Sequence, residues 1–288
     1  MDKLTSTTDK PLLIIRPSSG WAALNLKELV QFRDLLVSLA SRDVKLRYRQ
    51  TALGVFWVLL QPLISAGILA FVFGKIAKLD DHKSAVPYFL LVYAGQLGWT
   101  VFASTLSKTS TSLVGNAHLV TKVYFPRLVL PLSTLISTLI DFCVGLAMLL
   151  VLLVCNHVNP GIGILLTPVW VLLVMLLALG VGLCASALTV SYRDVQYILP
   201  VATQFLMYIS PVAYRVSAME ETIKSPIGQA AYFLNPLAGL LEGFRWSLTG
   251  DGGVHWGSVA YSVGLTLLVF VLGAFAFKRM ERKFADII

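Results

Sequence analysis

Charge is scarce in this sequence. Only 13% of its 288 residues are charged, whereas 57% are hydrophobic, and soluble domains usually carry about twice that charged fraction. This balance excludes an ordinary soluble enzyme. The net charge of +8 does not indicate nucleic-acid binding, because the basic residues stand at the ends of apolar segments and not together on one face. The sequence therefore indicates a membrane protein without a nucleic-acid partner.

Residues that bind metals or nucleotides are also few. The 3 cysteines lie in or beside apolar segments and the 4 histidines are scattered one to a connection, so neither set has the spacing of a metal or redox site. The segment that ends at Gly74-Lys75 is not a P-loop, because Leu69 stands where the first glycine is required. We expect no catalytic residue, no metal site and no cofactor bound by this chain.

The N-terminal region is polar and then amphipathic. Residues 1–25 have no long apolar core followed by a small-residue cleavage site, so we expect a cytoplasmic segment and no signal peptide. From Leu26 to Leu46 polar residues recur every three or four positions, which is typical of an amphipathic helix. We expect residues 26–51 to form an interface helix and a basic collar at the membrane surface. Packing of this helix on a soluble partner remains an alternative.

Six apolar segments follow, and we predict an all-α integral membrane protein with six transmembrane helices. Each segment has about 18 to 28 residues, the length that a spanning helix needs. The first covers about 22 residues and, at a rise of 1.5 Å, roughly 33 Å. The segments are Leu53–Gly74, Tyr88–Leu106, Leu128–Cys155, Ile164–Val190, Tyr197–Tyr214 and Val259–Phe277.

The basic residues predict the orientation of these spans. An even number of crossings leaves both termini on one side. Most of the 23 Lys and Arg residues lie in the N-terminal region, in the connection between the second and third spans, and in the tail at residues 278–288. Cytoplasmic connections are rich in these residues. We therefore expect both termini in the cytoplasm and a transmembrane domain over residues 52–277.

The connection from Arg215 to Ser258 is too apolar for a solvated loop. Its stretch Ile227–Leu241 has about 15 residues and is interrupted by Asn235-Pro236, so it is too short and too broken to cross a bilayer. We expect two short re-entrant helices that dip back from the outer face, packed against protein or a water-filled path.

Aromatic residues are frequent in the first two spans. Trp and Tyr near span ends usually form an interfacial belt, and this interpretation stays open for each of them. Rings turned inward would instead offer flat faces on which sugars stack. The candidates for such a substrate path are Trp57, Tyr93, Trp99 and Phe102.

Asp141 is the one acidic residue deep in a predicted span, where a carboxylate is costly unless it is paired or protonated. Two interpretations remain open. Asp141 is a polar contact to substrate or to a partner protomer, or it is a structural carboxylate bonded to Ser137, Thr138 or a neighbouring helix.

Small residues recur in the fourth span. Ala178, Gly182 and Ser186 stand four residues apart, which indicates close helix packing within the protomer.

The connection 115–127 mixes aromatic and basic residues. A short helix that stops before Pro126 would present Val123, Tyr124 and Phe125 outside the bilayer, either to a partner or as an interfacial anchor.

These segments together resemble a known family. The sequence is similar to the permease subunit of type-2 ABC exporters for polysaccharides, from about residue 17 to residue 283. The resemblance is carried by Arg42–Trp57, Leu60–Pro62, Thr121–Leu128, Tyr192–Val195 and Asn235–Arg245, in this order.

The resemblance implies a homodimer with two copies of a separate ATPase subunit, which binds ATP and Mg²⁺. It implies export of a lipid-linked polysaccharide across a bacterial inner membrane, with O antigen as the first candidate and capsule or teichoic acid polymers as alternatives. A permease for a small amphipathic drug or lipid is a further alternative. A secondary transporter is disfavoured because Asp141 is the one residue suited to carry a proton or ion.

The resemblance also assigns roles by position. It places a coupling helix, which sits in a groove of the ATPase, at residues 116–127 and external gate helices at residues 218–246. His118 departs from the family, in which Asn is common there. The implied ATPase-coupling residues are Asn116, His118, Lys122, Tyr124, Phe125 and Arg127, and the implied gate residues are Asn235, Pro236, Glu242 and Arg245.

Overall fold

The computed structural model describes residues 26–49, 54–79, 86–216, 219, 223, 225–250 and 253–287. In this part of the chain the regular structure is helical, as predicted. A π-helix, Ala70–Ile76, extends α3, and 3₁₀ helices at Val114–Asn116 and Gly161–Leu166 precede α5 and α7. The α-helices of the described residues are α1 (Leu26–Gln31), α2 (Arg33–Arg49), α3 (Gly54–Leu69), α4 (Tyr88–Thr111), α5 (Ala117–Lys122), α6 (Val129–Cys155), α7 (Thr167–Ser191), α8 (Val195–Ile209), α9 (Pro226–Phe233), α10 (Pro236–Thr249) and α11 (Trp256–Ile287).

Five helical segments of the described residues are long and apolar enough to cross a membrane, and they coincide with five of the six predicted spans. This pattern makes the chain a multi-pass membrane protein. The span in α3 is the most peripheral, since only 11% of the residues in its most apolar stretch are buried in the protein. The five segments are Leu59–Ile76, Tyr88–Thr111, Val129–Cys155, Gly161–Ser191 and Trp256–Glu281.

The predicted span Tyr197–Tyr214 is only partly helical. It corresponds to α8, whose 15 residues reach roughly 22 Å, less than the ~30 Å of a bilayer core. The helix ends at Ile209 because Ser210 is extended, as the residue before a proline prefers. The sixth crossing therefore stays a prediction.

The last helix is longer than its predicted span. α11 has 32 residues and continues through the predicted tail, so it extends roughly 48 Å. Its C-terminal part carries Phe284, which is buried against the rest of the chain. The tail is thus a continuation of the span as far as Ile287.

The centre of the bundle is α7, which packs along α4 and α11. Ala178, Gly182 and Ser186 are buried, and a Cβ at Gly182 would lie 2.8 Å from the Thr109 side chain of α4. The predicted packing within the protomer is confirmed. The contact with α11 is closer still, because a Cβ at Gly273 would lie 2.0 Å from the Gly180 carbonyl oxygen.

Two short helices, α9 and α10, fill the predicted connection between residues 215 and 258. α10 packs against α4, α7 and α11 and is buried along nearly its whole length. Asn235 caps it, since its Oδ1 accepts a hydrogen bond from the Leu237 amide, and Pro236 occupies the first turn, where its missing N–H costs nothing. We call the end of the bundle that holds α10 the far end.

The opposite end of the bundle holds α2 and α5, and we call it the basic end. The predicted interface helix is divided into α1 and α2, and α2 packs on α6. Leu39 and Ala40 are buried there, whereas Val30 and Val37 are exposed. One apolar face of α2 therefore covers the chain's own core. The domain boundaries predicted at residues 25 and 51 lie outside the described residues.

Candidate functional site

An ion pair joins α4 to α6 inside the bundle. The Lys108 Nζ donates to Asp141 Oδ2 and to Ser137 Oγ, each at 3.1 Å. The Lys108 and Asp141 side chains are 28% and 14% exposed. Pairing removes the cost that an isolated carboxylate would carry at this depth. The neighbouring helix predicted as a partner of Asp141 is thus α4.

A polar cavity of about 130 Å³ lies beside this ion pair, between α3, α4 and α6. Its walls carry two amides, four hydroxyl groups and the Asp141 carboxylate, with Phe142 as an aromatic wall. Buried cavities that remain empty are apolar, whereas polar ones hold water. The polar lining consists of Gln61, Ser65, Gln96, Thr100, Ser104, Thr138 and Asp141.

The predicted aromatic path residues lie in the core of the protomer. Tyr93, Trp99 and Phe102 are almost fully buried, and the Tyr93 hydroxyl donates to the Gly145 carbonyl at 3.3 Å. Trp99 also borders a groove between α4 and α8. Trp57 lies in α3, and its side chain is outside the described part of the structure. The placement gives the three described rings a packing role, and their contact with substrate stays a prediction.

Asn116 ties the coupling segment to the basic collar. Its Oδ1 accepts a hydrogen bond from an Arg42 guanidinium nitrogen at 2.9 Å, and its own amide donates to the Ser112 carbonyl at 2.9 Å. Arg42 is also paired with Asp43. The segment before α5 is therefore held to α2, so that the two elements form one surface at the basic end.

The residues after α5 divide into outward and inward side chains. Val123 and Tyr124 are 53% and 62% exposed, as predicted. The same prediction is wrong for Phe125, which is 6% exposed and packs in the apolar cluster of the basic end. Packing in that cluster takes the large apolar Phe125 ring out of water, which is favourable. His118 and Lys122 are exposed on α5.

Arg127 contacts the C-terminal part of α11. Its guanidinium lies 5.7 Å from the centre of the Phe284 ring, within the distance of a cation–π interaction, and it donates a hydrogen bond to the Glu281 carbonyl. The side chain thus joins the coupling segment to α11, which is a contact within the chain.

At the far end, Arg245 of α10 fixes the segment that follows α8. The guanidinium donates to the carbonyl oxygens of Tyr214 at 2.8 Å and Pro211 at 3.3 Å. Asn235 donates to Ser210 at 2.9 Å. Glu242 is also buried, with His255 Nδ1 at 3.6 Å. The predicted gate residues therefore meet in one polar cluster.

Ionisation at this cluster is shaped by burial. Burial raises the pKa of Tyr232 well above its ordinary value, and the nearby Tyr214 adds to the rise. Burial lowers the pKa of Arg245, an effect that the Glu242 carboxylate opposes. The Glu242 carboxylate and the two backbone carbonyls thus compensate for the burial of the guanidinium.

The patterns considered above do not single out Lys108 or Gln96 as functional residues. A signal for both exists in the spacing, because Gln96, Thr100, Ser104 and Lys108 recur every four residues and so share one face of α4. The first half of this helix is apolar apart from the stripe, whereas its last two turns carry further Ser and Thr residues.

A family model described as ABC-2 type transporter matches residues 34–249. The match begins in α2 and ends at Thr249, the last residue of α10, so it includes the ion pair, the coupling segment and the polar cluster at the far end. It covers well over half of the chain.

Curated relatives agree with this match. The chain is 29% identical over 220 residues to the O-antigen export system permease protein RfbA of Myxococcus xanthus, covering 76% of this chain and 82% of the relative. It is 26% identical over 263 residues to an RfbA of Klebsiella pneumoniae, covering 88% and 95%. It is 25% identical over 250 residues to the polysialic acid transport protein KpsM of Escherichia coli, covering 83% and 91%.

The family match extends over four of the five apolar spans and over both short helices of the far end. The relatives are transport proteins and are covered nearly from end to end. The chain therefore belongs to the ABC-2 type transporter family, as a multi-pass membrane permease subunit and not as the ATPase.

Proposed function

We propose that this chain is the membrane subunit of an ATP-driven exporter of a polysaccharide, with lipid-linked O antigen as the first candidate. The observation that carries the proposal is the similarity to O-antigen export permeases of two organisms over most of both chains. A capsule polymer is the second candidate, because a polysialic acid transport protein matches over a similar length at 25% identity.

The energy source is a separate ATPase subunit, since the family is that of the membrane subunit. That partner binds ATP and Mg²⁺. The transporter consists of two permease protomers and two copies of the ATPase subunit. The surface proposed for the ATPase consists of α5 and the exposed Val123 and Tyr124. Exposed apolar side chains of this kind mark interaction sites.

The orientation follows from the same surface. An ATPase works in the cytoplasm, so the basic end faces the cytoplasm and the far end faces outward. The basic residues near α2 and α5 agree with this orientation. Both termini are then cytoplasmic, in a bacterial inner membrane, and this needs an even number of crossings.

A deletion strain tests the proposed substrate. We expect the polymer to accumulate inside cells that lack this chain and to return to the surface when the chain is supplied again, as measured with a glycan-specific label on intact and permeabilised cells. Chemical analysis of the accumulated saccharide decides between O antigen and capsule. Unchanged surface and internal saccharide in the deletion strain would refute the proposal.

A further inference from the structure

No residue of α5 lines the polar cavity between α3, α4 and α6, so the cavity lies apart from the surface proposed for the ATPase. It lies within a bundle whose surroundings are apolar, and burying hydrogen-bonding groups there is costly unless each finds a partner. The Oε1 atom of Gln96 is buried and accepts no hydrogen bond from the described residues. A molecule with O–H or N–H groups is therefore needed inside the cavity.

The chemistry of the lining indicates what kind of molecule enters. Apart from Asp141, the hydrogen-bonding groups are neutral hydroxyls and amides. The Thr100 and Thr138 hydroxyls donate to carbonyls of their own helices, at 2.8 and 3.1 Å, and their oxygens are left to accept. Phe142 and Leu97 supply an apolar wall. Hydroxyls opposite a flat apolar wall suit a sugar ring, which has hydroxyl groups at its edge and C–H groups on its faces.

The polar lining of the cavity continues along α4 to the ion pair. The stripe from Gln96 to Lys108 spans about 12 residues, or roughly 18 Å, and ends at the ion pair. Gln61 and Ser65 close the stripe from α3, which is the most peripheral span. Pro62 lies between them inside α3, where proline removes one backbone hydrogen bond and bends a helix.

We propose that this cavity is a saccharide subsite, in which hydroxyl groups of one sugar unit replace water and bind Gln96, Thr100 and Ser104. The inference rests on the proposed function and names a place in the protomer at which the polymer binds. Exchange of sugar hydroxyls for water costs little, so the subsite binds weakly and releases each unit as the polymer advances. The buried aromatic rings of α4 then support the subsite from behind.

Thiol labelling tests the subsite in the whole transporter, with its ATPase, in cell membranes. Cys143, Cys155 and Cys184 are first replaced by serine, and Ser104→Cys is labelled with a small charged reagent in cells that make the polymer and in cells in which its synthesis is blocked. We expect labelling in both, slowed several-fold when the polymer is present. The control is Thr105→Cys, because Thr105 is fully buried and one position away, and it should stay unlabelled.

Each outcome is decisive. If Ser104→Cys stays unlabelled in a transporter that still exports, the cavity is dry. If its labelling rate is the same with and without polymer, the cavity holds water only. Either result overturns the subsite and leaves the proposed function intact. An unsubstituted transporter that assembles with the ATPase and moves no polysaccharide overturns the proposed function as well.

A second measurement uses substitutions that preserve shape. Thr100→Val removes a hydroxyl group from the cavity, and Thr105→Val removes one from the buried side of the same helix. We expect surface polymer per folded transporter to fall several-fold for Thr100→Val and to stay unchanged for Thr105→Val. Equal export by the two variants would contradict the subsite.

Discussion

Lys108 and Asp141 show how one charged pair is kept within an apolar bundle. Each side chain is partly exposed, towards the polar cavity in the case of Asp141, and Ser137 accepts a second hydrogen bond from Lys108. Replacing both members of a buried pair by apolar residues is often neutral, whereas removing one partner costs about 3–5 kcal/mol. Partial exposure lowers that cost here.

The pair therefore predicts a specific pattern of stabilities. We expect Asp141→Leu and Lys108→Met each to destabilise the purified protein by roughly 1–3 kcal/mol, and the double variant to recover most of the loss. Asp141→Asn, which keeps the shape and hydrogen bonding, should lie between. Thermal unfolding in detergent of the single and double variants gives the interaction energy between Lys108 and Asp141. If the losses of stability in the double variant are additive, the two residues are not coupled.

The sequence predicts only in part which partners the residues of the spans have and which way their side chains face. Asp141 is noticeable because a lone acid in a span is rare, but its partner Lys108 lies near a helix end and belongs by pattern to the cytoplasmic connection. The aromatic rings are harder to place. Lipid and protein core are both apolar, so periodicity does not show whether Tyr93 or Phe102 faces one or the other.

At the level of elements, hydropathy predicts the long helices well because an apolar run of sufficient length has few other structures open to it. It predicts their ends less well. α8 stops at Ser210-Pro211, although the following residues are apolar. α11 continues beyond its apolar part because charged residues such as Lys278 and Glu281, which form an ion pair, are good helix formers.

The crossing of α7 and α11 gives a test at this scale. We expect Gly273→Ala to destabilise the protein by about 1–3 kcal/mol, because the new methyl group would overlap the Gly180 carbonyl and force the helices apart. Gly264→Ala is the matched control, since a Cβ there meets open space. Detergent unfolding of both variants checks the prediction, which fails if the two melt alike.

At the scale of the whole molecule, the coupling segment separates docking from folding. Tyr124→Ala should leave the stability of the isolated permease unchanged and weaken its complex with the ATPase, because the ring is exposed. Phe125→Ala should destabilise the permease itself by about 3–5 kcal/mol, the usual cost of emptying a buried phenylalanine site. Unfolding measurements and ATPase co-purification on the same two variants distinguish these effects; a destabilised Tyr124→Ala with normal assembly would contradict the assignment.

The number of crossings is the second question at this scale. If α8 and the segment after it cross the membrane, residues 194 and 253 lie on opposite sides. We expect an impermeant thiol reagent to label Gly253→Cys in intact cells and Asp194→Cys only after permeabilisation, in the cysteine-free background. Lys122→Cys, on the basic end, is the control for the inner side. Labelling of the two test positions from the same side of the membrane would exclude the sixth crossing.

The unbroken α11 has a mechanical consequence. Gly273, where it crosses α7, and Phe284, where it meets Arg127, are about three helical turns apart and so share one side of the helix. The intervening residues contain no proline, which leaves little freedom to bend. The two contacts therefore lie on one rigid helix, and the rotational phase between them is fixed. One inserted residue between them would turn Phe284 away by about 100°.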